Sequence, residues 1–121
     1  MSEIGVDDGL VPLCRLDELA DPGARGFEIE RAEQRIHLFV VRNGSRAYAY
    51  LNICPHAGTP LDWSPNQFLS PDRARIQCST HGARFLIASG RCDFGPCPGR
   101  SLDRVPVTLR DGWVCVTSPD G

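Results

Sequence analysis

Short apolar runs separated by turn-forming residues set the pattern of this chain. RIHLFVVR (35–42) and SRAYAYLNI (45–53) are rich in β-favouring side chains. Asn43 and Gly44 between them tolerate the positive φ of a tight hairpin turn. The same design recurs in 105–110 and 113–117, around Asp111 and Gly112. Shorter candidate strands are 10–14, 27–31, 73–78 and 84–88. RLDELA (15–20) can form one helical turn, which Asp21, Pro22 and Gly23 would stop. Alternation within 35–42 puts His37 on one face with Phe39 and Val41, opposite Ile36, Leu38 and Val40. His37 therefore reads as a satisfied histidine within a sheet rather than a ligand. Twelve glycines and ten prolines are spread along the chain, with no internal repeat, linker or low-complexity stretch. The punctuation is that of an antiparallel, all-β protein.

At 121 residues the chain reads as a single domain, 1–121, large enough for one modest core. A net charge of −2 with no basic cluster leaves no footprint for nucleic acid. The stretch MSEIGVDDGLVPL is acidic and lacks both a basic start and a continuous apolar segment, so it is not read as a signal peptide. No run of about eighteen apolar residues is present to span a membrane. A soluble, cytoplasmic protein is the expectation.

Cysteine and histidine carry the chemistry. Of the six cysteines, Cys14 and Cys115 lie in apolar surroundings (VPLC, WVCV) and read as small core residues. Cys54 and Cys78 differ, because each has a histidine at chelating distance: CPHAG at 54–58 and CSTHG at 78–82. The spacing is C-x-H, then 21 residues, then C-x-x-H. Clustered Cys and His in a cytosolic chain signal metal or catalysis more often than disulfides. Two centres take Cys₂His₂ donors: tetrahedral zinc, and a [2Fe–2S] cluster in which two histidines replace two cysteines on one iron. Zinc fingers commonly pair like with like. Here each loop offers one Cys and one His, which suits two loops that each span both irons. Each hook sits on a loop beside a predicted strand, and a third loop, SGRCDFGPCPG (89–99), is placed to cover what they hold.

CPHAG, CSTHGARF and GPCPGRSL resemble the two cluster loops and the proline loop of Rieske-type [2Fe–2S] proteins, over roughly residues 10–117. The resemblance implies a barrel-like antiparallel β sandwich with a small cluster-binding subdomain at about 52–99. It implies one [2Fe–2S] cluster, with Cys54 and Cys78 on one iron and His56 and His81 on the other. Three departures place the chain within that family. The respiratory and photosynthetic members carry a disulfide between the loops, whereas the matching positions here are Thr59 and Thr80. They donate serine and tyrosine hydroxyls toward the sulfurs, whereas Ala83 and Phe85 stand here. They also carry a membrane anchor. The resemblance thus points to the low-potential Rieske ferredoxins, monomeric carriers that take an electron from a flavin-containing reductase to a terminal oxygenase. The oxygenase itself is not expected, because after His56 and His81 only His37 remains for a mononuclear iron.

Two other functions belong to different classes: a small subunit of a nitrite-reductase-like complex, and a zinc-binding structural module. Trp63 and Trp113 are expected to pack in the core. Arg84 reads as a solvated strand residue, and Cys92 and Cys97 as inert loop thiols.

Overall fold

Strand β3 (Gln34–Asn43) organises the molecule because it is apolar on both faces. Successive side chains of a strand point to opposite sides. Phe39 and Val41 accordingly enter one buried cluster, and Leu38 and Val40 enter another. The expected alternation is therefore observed, with a core on each side. The computed structural model describes residues 10–31, 34–53, 61, 66–78, 83–95 and 100–117.

The described secondary structure is antiparallel β apart from one 3₁₀ turn. The central sheet has the order β2-β3-β4-β8, with β2 at Gly23–Arg31, β4 at Arg46–Leu51 and β8 at Arg104–Val105. A second sheet, β1-β10-β9, joins Leu10–Arg15, Trp113–Thr117 and Val107–Arg110. The third, β5-β6-β7, is formed by Ile76–Gln77, Arg84–Phe85 and Cys92–Phe94. Cys14, Val114 and Val116 of the second sheet share a core with Leu38, Val40 and Ala49. Ile76, Phe85 and Cys92 of the third share the other with Phe39, Val41 and Tyr50. Three layers result, with the central sheet between the other two. Among the described residues no helix is long and apolar enough to cross a membrane.

Several boundaries differ from the sequence-based expectation. The first hairpin turns at Gly44 and Ser45, one residue late, because Asn43 still pairs with Arg46 while Gly44 takes φ +70°. Asp111 and Gly112 turn as expected, with φ +53° and +85°. The run 105–110 is split at Pro106, which has no N–H for a ladder. The 84–88 run stops at Phe85, and 87–89 form a turn. The loop 89–99 contains a strand, β7, that pairs with β6. The helical turn shortens to a 3₁₀ turn at Leu16–Glu18.

Cys14 and Cys115 are buried as expected. Trp113 is not: it lies 39% exposed, with the Arg15 guanidinium over its ring. Trp63 lies outside the described residues. His37 pairs with Glu28 across β2 and β3, its Nδ1 3.3 Å from Glu28 Oε2, at an exposed position beyond the buried stretch of its face. That is a sheet-surface role, in line with the expectation.

Tyr50 ties the central sheet to the third layer. Its ring packs at 5.8 Å from Phe39, which stacks on Phe68, and its hydroxyl donates to the Ile87 carbonyl at 2.6 Å. Burial raises the Tyr50 pKa, so the hydroxyl remains a donor across the ordinary pH range. Tyr50→Phe leaves a buried carbonyl without its donor. An expected loss of about 1–2 kcal/mol should be read by urea unfolding.

Candidate metal centre

Three loop segments are closed at their bases by hydrogen bonds. Residues 54–60 follow β4, and the flanking Asn52 accepts the Leu61 N–H on Oδ1 at 2.8 Å. Residues 79–82 join β5 to β6, and the Cys78 N–H donates to the Ala83 carbonyl at 2.8 Å. Residues 96–99 follow β7, and the Cys92 N–H donates to the Arg100 carbonyl at 2.8 Å. Because β6 runs antiparallel to both neighbours, the second and third loops leave the same end of the third sheet. Glycine brings their flanking residues together. Gly95 adopts φ +103°, and a Cβ there would lie 2.7 Å from the Ala83 Cα.

Of the four expected ligands, Cys78 is described. It is wholly buried, with a free thiol, in one cluster with Leu61, Ala83 and Phe85. Cys54, His56 and His81 lie outside the described residues, as do Thr59, Thr80 and Cys97. Consequently, among the described residues no three metal-binding side chains gather. Ala83 and Phe85 are both fully buried, so neither side chain brings a hydroxyl to this region. Cys92 is buried on β7, with Sγ 3.4 Å from the Phe94 carbonyl, which suits the inert thiol expected of it.

The donors fit an iron–sulfur group. A buried thiol at a pinned loop base is shielded from water and held in place. A cysteine sulfur is also a soft donor suited to iron–sulfur groups. A cleft of about 710 Å³ is lined by residues such as Arg25, Phe68, Arg73 and Gln77. It holds none of the four expected ligands.

Asn52 and Gly95 sit at the loop bases, and ligand spacing did not single them out. Asn52 had a local signal, an amide side chain just ahead of the first hook. Gly95 opens the proline-loop motif GPCPGRSL, but its approach to Ala83 across the strand pair has no local signal. Gly95→Ala puts a side chain into a left-handed backbone and against Ala83. The expected cost is about 2 kcal/mol, seen as earlier thermal bleaching of the cluster absorbance.

A β domain that carries Cys and His donors on pinned loops defines the class of protein. The chain belongs to the Rieske [2Fe–2S] domain family, whose model matches residues 9–110. Members of that family carry a [2Fe–2S] cluster, the group the donor set had suggested ahead of zinc. Among solved structures the chain is similar to the ferredoxin of Sphingomonas yanoikuyae B1. They share 27% identity at TM-score 0.66, over 90% of this chain and 98% of that one. It is also similar to the ferredoxin of carbazole 1,9a-dioxygenase from Nocardioides aromaticivorans IC177, with 24% identity and TM-score 0.68, over 89% and 96%. The terminal oxygenase from the same source matches at 21% and TM-score 0.68, but over 93% of this chain and 30% of that one. At the two lower identities the likeness is one of fold. None of the curated proteins matches the chain.

Proposed function

We propose that this protein is the ferredoxin of a Rieske oxygenase system. It takes one electron from a flavin-containing reductase and passes it to a terminal oxygenase, acting as a carrier and not an enzyme. Cys54 and Cys78 hold one iron, His56 and His81 the other, in a single domain spanning 1–121 whose cluster-binding part is about 52–99. When bound, the cluster supplies reversible one-electron chemistry. The chain's part is to hold it, keep water from the thiolate side and present it to partners.

The observation that carries this is the buried Cys78 at the pinned base of a Cys–His loop, on a fold matched nearly end to end by ferredoxins. The docking face is the loop tip, and the encounter is small and transient, so the protein works as a cytoplasmic monomer between partners. The same fold serves as a small subunit in nitrite-reductase-like complexes. Intact ligands favour the mobile carrier over that role, and over a zinc module.

Purified holoprotein should contain two irons and two acid-labile sulfides and take up one electron per cluster, with the EPR signal of a histidine-ligated centre. Affinity capture on it should retrieve a reductase and an oxygenase. A colourless zinc protein, or capture of a large reductase subunit in a fixed complex, would overturn the proposal.

A further inference from the structure

The charge of this chain is unevenly divided. Residues 52–100 carry five arginines (73, 75, 84, 91 and 100) and three aspartates (62, 72 and 93), a net of +2. The whole chain is at −2, so the remainder stands at −4. Within the positive part, Arg75 is matched by Asp93 at 2.9 Å. Arg84 has no carboxylate within ion-pair distance among the described residues; its guanidinium lies over the Phe94 ring, 5.5 Å from the centroid. Its charge does reach Asp72, whose carboxyl is held low first by hydrogen bonds from Ser70 and the Ala74 N–H.

The position of that pair matters. Arg84 follows Ala83 at the base of the second loop, and Phe94 precedes Gly95 at the base of the third. Phe94 is 60% exposed, although it is a large apolar ring. Ile53, directly ahead of Cys54, is 47% exposed. The apolar residues that flank the loops therefore face solvent, with an arginine laid across one of them. Aromatic and arginine side chains at the surface are the usual anchors of protein interfaces, and here Phe94 is exposed while Arg84 is half-buried on its ring.

We propose that Arg84 on Phe94, with Ile53 beside the first loop, anchors a redox partner protein whose contact face is acidic around an apolar centre. The proposal rests on the electron-carrier function above and specifies the partner's chemistry. Arginine suits this role because its flat guanidinium keeps one face on the ring and its N–H edge free for carboxylates. The Arg84 charge is opposite in sign to that of the whole molecule, so it favours a carboxylate-bearing face at the loop bases.

Small oxidants separate local from global charge. The chemically reduced holoprotein is mixed by stopped flow with anionic ferricyanide or cationic hexaammineruthenium(III), each of which accepts one electron from the cluster. At about 10 mM ionic strength, Arg84→Gln should lower the ferricyanide-to-hexaammine rate ratio roughly tenfold, and Arg84→Lys should largely keep it. The difference should nearly vanish at about 0.5 M. A changed cluster potential moves both rates in the same direction and cannot mimic this. Phe94→Ser should slow oxidation by the apolar cation tris(phenanthroline)cobalt(III) several-fold more than oxidation by hexaammineruthenium(III).

A second readout needs no electron transfer. Redox-inert, paramagnetic hexacyanochromate(III) added to the oxidised protein should broaden the NMR signals of Phe94 and Ile53 before others, and less so in Arg84→Gln. A protein with no reducible centre would sink the carrier function yet leave this footprint to be read. A normal, reducible cluster whose rate ratio ignores Arg84, or a footprint elsewhere, would overturn the anchor alone.

Discussion

Cys78→Ser is expected to abolish the cluster while leaving the central and second sheets folded. Cys78 is wholly buried, and its backbone N–H closes the second loop on Ala83. The substitution therefore keeps the position and changes only the donor atom. A serine hydroxyl ionises far less readily than a thiol and is a harder ligand, poorly matched to iron–sulfur chemistry. Buried among Leu61, Ala83 and Phe85, it would also lack a partner. Iron and acid-labile sulfide should fall to background, and the visible and EPR signals should vanish. Far-ultraviolet circular dichroism should retain its β signature, because the core of Leu38, Val40, Val114 and Val116 lies on the other side of the central sheet. Cys54→Ser should behave alike, whereas His56→Cys or His81→Cys should change the cluster's character rather than remove it. A Cys78→Ser protein with native spectra would refute the ligand assignment.

Ala83→Ser combined with Phe85→Tyr should raise the reduction potential by on the order of 100 mV, within a Rieske span of about −150 to +300 mV. Hydrogen bonds to the cluster sulfurs stabilise the extra negative charge of the reduced state, and a missing donor lowers the potential. Ala83 and Phe85 are both fully buried beside Cys78, so new hydroxyls there would be turned from water and available to sulfur. Space is the opposing term. The Gly95 backbone passes close to Ala83, a Cβ built on it falling 3.3 Å from the Ala83 Cβ, so the serine hydroxyl must fit beside that backbone. Protein-film voltammetry gives the potential directly. An unchanged or lower potential, in a variant with an intact cluster spectrum, would mean that backbone donors set the energy of the reduced state.

Most of the strands could be read from the chain because their cause is local. Asp111 and Gly112 supply two consecutive positive φ angles, and the hairpin closes there whatever surrounds it. Alternation in 35–42 assigns each side chain to a face, and both faces prove to be buried cores. The short strands of the third sheet were less legible. Arg84–Phe85 and Cys92–Phe94 are too brief to show a period, and they exist because Ile76, Phe85 and Cys92 bury together against the central sheet. Trp113 was misjudged for a related reason. Its type favours the core, but it pairs with Arg110 at a hairpin end, where little can cover it.

The proposed chemistry comes from the sequence itself. Two Cys–His hooks 21 residues apart offer a donor set, because donor atoms are a property of side-chain type that folding does not alter. The tertiary structure decided what surrounds the hooks. It set Gly95 against Ala83, used Asn52 to close the first loop, and laid Arg84 across an exposed Phe94. Each of these joins residues from different strands or loop ends, and such contacts depend on register and packing, which no local pattern encodes.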